Sequence, residues 1–95
     1  MSEAEDCRLD VWLWRARFFK TRALASRFLE AGRLRVTRPG ADPVRIDKPS
    51  RTIRPGDRLV FALGGRVIEV EVKAVGERRG PASEARELYS DPLDH

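Results

Sequence analysis

Apolar residues recur at Leu9, Trp12, Leu13 and Ala16, the i, i+3, i+4, i+7 spacing that lays one stripe along a helix. The spacing predicts a first helix from about Arg8 or Leu9 to Phe18. Arg8 and Arg15 fall along one border of the stripe, Asp10 and Arg17 along the other, and an acid near the helix start suits the dipole. Val11, Trp14 and Phe18 make a second apolar stripe on the outer face, which needs a cover, either the C-terminal tail or a partner. Phe19-Lys20-Thr21 reads as a corner. Thr21 is a suitable N-cap for a second helix that runs to Glu30 or Ala31. Leu24, Ala25, Phe28 and Leu29 read as its buried side. Ala23 and Ser26 read as its outer side, small enough for a phosphate backbone to approach, with Arg22 and Arg27 at the borders. Gly32 stands where a helix ends in a residue of positive φ.

Beyond Gly32 the period changes to two. Leu34 and Val36 alternate with Arg33 and Arg35, predicting a strand over 33–37, and the turn-rich 38–43 leads to a short return strand at Val44 and Ile46. Lys48-Pro49-Ser50 breaks that strand, and Pro55-Gly56-Asp57 after Ile53 fits a type II turn. Leu59, Phe61 and Leu63 alternate in the next strand. Gly64-Gly65 is a two-residue hairpin signal, and Ile68, Val70, Val72 and Ala74 alternate with Glu69, Glu71 and Lys73 in the last strand. The pattern stops at Gly76. Pro81 can open one or two helical turns through Tyr89, and Leu88 and Tyr89 can fold back on the body. The expected fold is α+β: a two-helix hairpin on a small, mostly antiparallel sheet. Residues 1–7 are expected as a flexible N-terminus, 8–75 as the domain and 76–95 as a polar C-terminal tail.

Ninety-five residues allow one domain. No apolar run approaches the roughly 20 residues of a membrane span, and the acidic N-terminus has no apolar segment of a secretory signal. The single cysteine, Cys7, forms neither an internal disulfide nor a cysteine-based metal site. These features fit the cytoplasm. Charge changes the picture more than length does. The net charge is +4, yet residues 8–58 hold fourteen Lys and Arg against five acids, between acidic ends. A basic block of this kind points to a polyanionic partner. Arginines outnumber lysines sixteen to three, and their planar forks suit phosphate.

Catalysis finds little to stand on. The only histidine is His95, Cys7 has no nearby base, and Asp10 and Asp57 read as helix-start and turn residues. No phosphate-binding loop, dinucleotide fingerprint or zinc spacing occurs, so no catalytic residue, metal site, cofactor or small-molecule substrate is expected. Polyanion binding finds more. Arg15, Arg17, Lys20, Arg22, Arg27 and Arg33 fall within nineteen residues around one hairpin. Lys20 and Arg22 flank the start of helix two, where free amides point outward, a natural phosphate seat. Thr21 can cap the helix or offer its hydroxyl to a phosphate. Such a surface reads backbone shape rather than base sequence. A DNA-reading helix-turn-helix is weaker, because Ala23, Ser26 and Glu30 on helix two offer no Arg, Asn or Gln centred for base edges. A protein-interaction module built on Val11, Trp14 and Phe18 is a third reading.

Arg8-Leu9-Asp10, Leu13, Arg17, Lys20-Thr21-Arg22, Ala25 and Gly32-Arg33-Leu34-Arg35-Val36, with Lys48-Pro49-Ser50 and Pro55-Gly56-Asp57, resemble the S4 RNA-binding domain family, named for a small-subunit ribosomal protein. The stretch from Leu9 to Ala25 and residues 78–89 resemble the ribosome-associated heat-shock branch of that family. The resemblance implies RNA contact through Arg17, Lys20, Thr21, Arg22 and Arg33, with Arg8, Arg15 and Arg27 nearby. It also implies a partner in structured ribosomal RNA of the large subunit, with tRNA beside it, and a role on large subunits that hold stalled peptidyl-tRNA. The alternatives are a ribosome assembly factor, or an accessory RNA-binding subunit of an RNA-modifying or tRNA-charging enzyme, since similar domains occur fused to such catalysts. Two departures stand out. Thr37 and Arg38 replace the Asn-Gly frequent after the first strand. The sequence also ends acidic where the heat-shock branch carries a basic extension, which moves the expectation toward a shorter quality-control relative.

Overall fold

The computed structural model describes residues 6–91. A first short strand, β1 (Cys7–Arg8), leads directly into helix α1 (Leu9–Arg15), and α2 (Arg22–Glu30) follows the corner. Strands β2 (Leu34–Thr37), β3 (Val44–Ile46), β4 (Thr52–Ile53), β5 (Arg58–Leu63) and β6 (Arg66–Val72) come next. A helical turn α3 (Ala82–Ala85), a 3₁₀ turn (Arg86–Leu88) and β7 (Tyr89–Ser90) complete the order. The fold is α+β. Five strands make one antiparallel sheet in the order β3-β2-β5-β6-β7, and β1 pairs with β4 in a separate two-stranded ribbon. No helix among the described residues is long and apolar enough to cross a membrane.

The alternation read from the sequence sets the register. Leu34, Val36, Leu59, Phe61, Val70 and Val72 point inward and meet Leu9, Trp12, Leu13, Ala25 and Leu29 from the helices. The helical layer therefore covers one face of the sheet. Trp12, fully buried, sits at the centre, and its indole Nε1–H donates to the Ala74 carbonyl at 2.9 Å. A buried side chain of that size contributes about 2–3 kcal/mol through area alone. At the β5–β6 hairpin Leu63 pairs with Arg66 across Gly64 (φ +60°) and Gly65 (φ +79°), the positive pair that a type I′ turn requires.

Three expectations change. First, α1 stops at Arg15 rather than Phe18. The Phe18 amide donates to the Leu13 carbonyl and the Arg17 amide to the Trp14 carbonyl, the paired bonds of a Schellman end, with Arg17 in the left-handed position at φ +67°. This reversal swings Phe18 inward against Trp12, Phe61 and Tyr89. Arg17 has therefore left the helical border that it shares with Asp10 in the periodic reading. Second, Leu24 is 44 % exposed rather than buried, because the covered side of α2 narrows to Ala25, Phe28 and Leu29. Third, Cys7 belongs to β1, opposite Ile53, and is buried. The remainder of the expected flexible N-terminus, residues 1–5, lies outside the described residues.

The polar tail is stitched to α1. The Val75 and Gly76 carbonyls accept from Arg15 Nη1 at 3.3 and 2.8 Å, the Gly80 carbonyl accepts from Arg17 Nε at 2.7 Å, and Arg79 Nε donates to the Trp14 carbonyl at 3.1 Å. The Lys73 and Ala74 amides donate to Leu88, and β7 then pairs with β6. Phe18 and Tyr89 pack with ring centres 4.9 Å apart, and the Arg79 guanidinium lies 5.9 Å from the centre of the Trp14 ring. Of the second apolar stripe of helix one, the tail thus meets Trp14 through Arg79 and Phe18 through Tyr89, and all three members, Val11 included, are partly buried.

Candidate nucleic-acid interface

The corner between the helices is held from both sides by aromatic anchors. Phe18 packs inward as described, and Phe19 lies 5.1 Å from Phe28, which in turn meets Phe61 at 6.0 Å. Between anchors and helix, the chain turns outward, so Lys20, Thr21, Arg22 and Ala23 are all exposed. The Thr21 hydroxyl oxygen accepts from the Leu24 amide at 3.1 Å, the expected N-cap. Capping uses one oxygen lone pair, so the hydroxyl proton remains free to donate outward, and the two roles weighed for Thr21 are compatible. The amides of Arg22 and Ala23, in the first turn, have no acceptor inside the helix. The corner therefore presents two side-chain cations, one hydroxyl donor and two backbone donors.

The cations read from the sequence sort by what already engages them. Arg8 is turned to Asp10: Nε donates to Oδ1 at 3.1 Å and Nη2 to Oδ2 at 2.9 Å. That carboxylate is 2 % exposed and also accepts from the Val11 amide and the Ser26 hydroxyl, at 2.8 and 3.0 Å. Ser26 is consequently a link between the helices, not part of an open outer face. Arg15 is half-buried and spends its head on the Val75 and Gly76 carbonyls, with the Cys7 sulfur 3.5 Å away. Burial pushes the Cys7 thiol above its usual range, and the nearby Arg15 charge offsets only part of that. Arg17 is exposed but uses Nε on the tail. Arg33 is exposed, its guanidinium 5.8 Å from the centre of the Phe28 ring. Lys20, Arg22 and Arg27 have no hydrogen bond or ion pair to a carboxylate among the described residues. The structure thus brings Lys20, Thr21 and Arg22 together, puts Arg27 and Arg33 exposed along and just beyond α2, and gives Arg8, Arg15 and Arg17 tasks within the fold.

Sequence reasoning missed a further set. Arg35 and Arg45 stand directly opposite one another across β2 and β3, both exposed, and Lys48 and Arg51 follow in the connection to β4. Their charges were visible in the sequence; the register that gathers them was not. Arg38 is occupied. Its Nε lies 3.4 Å from Asp57 Oδ2 and its Nη2 donates to the Thr52 carbonyl at 3.2 Å. Asp57, 1 % exposed, also accepts from the Arg54 amide, so its role is to hold the turn. Among the described residues no group of three metal-ligating side chains comes together.

The S4 domain family matches residues 7–59. Heat shock protein 15 of Escherichia coli K12 is 41 % identical over 91 residues, which cover 96 % of this chain and 64 % of that protein. A homolog from Haemophilus influenzae is 35 % identical over the same shares. The chain therefore spans a little under two thirds of these relatives. Heat shock protein 15 of Vibrio cholerae, solved as a trimer, superposes with a TM-score of 0.78 at 34 % identity, covering 94 % of this chain and 84 % of that one.

Proposed function

Because the chain belongs to the S4 domain family, in the branch of heat shock protein 15, we propose that it binds structured ribosomal RNA by presenting the Lys20–Arg22 corner to backbone phosphates. One observation carries this reading: Lys20 and Arg22, the cations nearest the open end of α2, are exposed and held by no carboxylate among the described residues, beside first-turn amides that have no acceptor in the helix. Lys20 and Arg22 supply charge on either side of the Thr21 hydroxyl and the first-turn amides, and a phosphate placed there meets donors from three directions. Arg27 and Arg33 extend the contact. Arg8, Arg15 and Arg17 act mainly by fixing α1 against Asp10 and the tail, so the corner keeps its shape. Recognition of this kind reads the path of the backbone more than the identity of the bases.

The task is binding rather than bond chemistry. Asp10 and Asp57, the two buried acids among the described residues, are each filled by donors that hold the fold. In the cell, the proposed partner is the large ribosomal subunit with stalled peptidyl-tRNA, as a heat-shock and quality-control factor in the cytoplasm. Replacing Lys20, Arg22 and Arg27 together by alanine tests the surface. The slope of log affinity against log salt for large-subunit ribosomal RNA should flatten by about 0.7–0.9 for each phosphate that the variant no longer neutralises. An unchanged slope removes the corner from the interface. Affinity purification after translational arrest tests the cellular role: large subunits are the expected companion, and a single RNA-modifying or tRNA-charging enzyme in their place would refute it.

A further inference from the structure

We propose that β3 and its connection to β4 carry a second seat for RNA backbone phosphates, formed by Arg45, Lys48 and Arg51 at the opposite end of α2 from the corner. This rests on the reading of the protein as an RNA binder and extends its footprint. These residues, with Ile46, Asp47 and Ser50, line an open hollow of about 270 Å³. All three cations are exposed, and no ion pair among the described residues holds any of them, although Asp47 shares the rim. The Ser50 hydroxyl adds a neutral donor.

The floor is fixed rather than a loose loop. The Arg51 amide donates to the Lys48 carbonyl at 3.0 Å, and the Pro49 and Arg51 carbonyls accept from the Asp10 and Leu9 amides at 3.3 and 2.8 Å. The hollow is thereby pinned to the start of α1, beside the Arg8–Asp10–Ser26 cluster. Arg45 runs past the other helix: its Cδ and Nε lie 3.5 Å from where a Cβ at Gly32 would stand. The α2 C-terminus accounts for one cation there, since a positive charge suits that end of the dipole. It does not account for Arg35, directly opposite Arg45 in the β2–β3 ladder, or for Lys48 and Arg51. Like charges facing each other across a strand pair destabilise it, and a bound anion removes that repulsion. Nine residues of helix separate this hollow from the corner, about 13 Å, so one folded RNA can be gripped at both ends of α2.

Three alanine triples decide the matter in salt titrations of binding to purified large-subunit ribosomal RNA. The first replaces Arg45, Lys48 and Arg51; the second replaces Arg66, Lys73 and Arg86, exposed cations elsewhere that match the charge change; the third is the Lys20, Arg22 and Arg27 corner triple. The first is expected to flatten the log–log slope by about two, and the second to leave it at the wild-type value. Arg51→Glu alone, which keeps the structural carbonyl, should weaken binding further than Arg51→Ala, and thermal unfolding checks that each variant is folded. A wild-type slope in the first triple, or an equal loss in the second, overturns the second seat. If the corner triple loses binding while the first does not, the seat fails and the RNA reading stands. If wild-type protein does not bind this RNA, both fall.

Discussion

Asp10 shows how one buried carboxylate organises its surroundings. Two oxygens receive the Arg8 fork, the Val11 amide and the Ser26 hydroxyl, joining β1, α1 and α2 at one point. Replacing it by alanine leaves those donors without their acceptor. Arg8 is half-exposed and can turn to water, so Asp10→Ala is expected to cost about 2 kcal/mol, below the 3–5 of a wholly buried pair. Urea unfolding measures it, and a loss under about 0.5 kcal/mol would mean that water replaces the carboxylate freely. The sequence made Asp10 legible as a helix-start residue, but pointed to Arg17 as its neighbour. The partner is Arg8, because that residue is extended (φ −60°, ψ 140°), not helical, and its side chain can fold back. The Arg38–Asp57 contact was illegible for another reason: the partners lie on different strands' ends, 19 positions apart.

The two helices end alike with different residues. Gly32 closes α2 at φ +70°, and its role was plain in the sequence because only glycine adopts that conformation cheaply. Arg17 closes α1 at φ +67°, and no glycine announced it, so periodicity carried the helix three residues too far. Gly32→Val should destabilise the fold by about 1 kcal/mol or more, through strain at positive φ. Arg17 allows a sharper comparison. Arg17→Ala and Arg17→Gly both lose the bond to the Gly80 carbonyl, but only glycine relaxes the backbone. The glycine variant is therefore expected to be the more stable by about 0.5–1 kcal/mol in thermal unfolding. If alanine proves equal or better, the left-handed turn is not costly. The N-cap at Thr21 and the α2 stripe at Ala25 and Leu29 were readable; the exposure of Leu24 was not, since it depends on how much of α2 its neighbours cover.

Across the whole sheet, charge is graded. One row of the ladder runs Arg45, Arg35, Val60, Glu69, from a basic edge to an acidic strand. Arg58 and Glu69 approach to 3.8 Å on the acidic side. RNA gripped at the α2 end should not reach Glu69, so Glu69→Lys is expected not to weaken binding to large-subunit ribosomal RNA. A clear loss in a binding titration would move the footprint onto that face. The strand pattern made most of this sheet legible, but not its last member. Tyr89-Ser90 is too short and polar to announce a strand, and only pairing with β6 defines it. The same residue carries a consequence for synthesis. Trp12 and Phe18 lie against the Tyr89 ring, with centres 6.3 and 4.9 Å away. At about 5–20 residues per second a ribosome needs on the order of 4–15 seconds to travel from the first of these rings to the last. For that interval the two rings can meet each other and, once it is made, Phe61, but not the Tyr89 ring that closes over them, so the last part of their packing waits for the final stretch of translation.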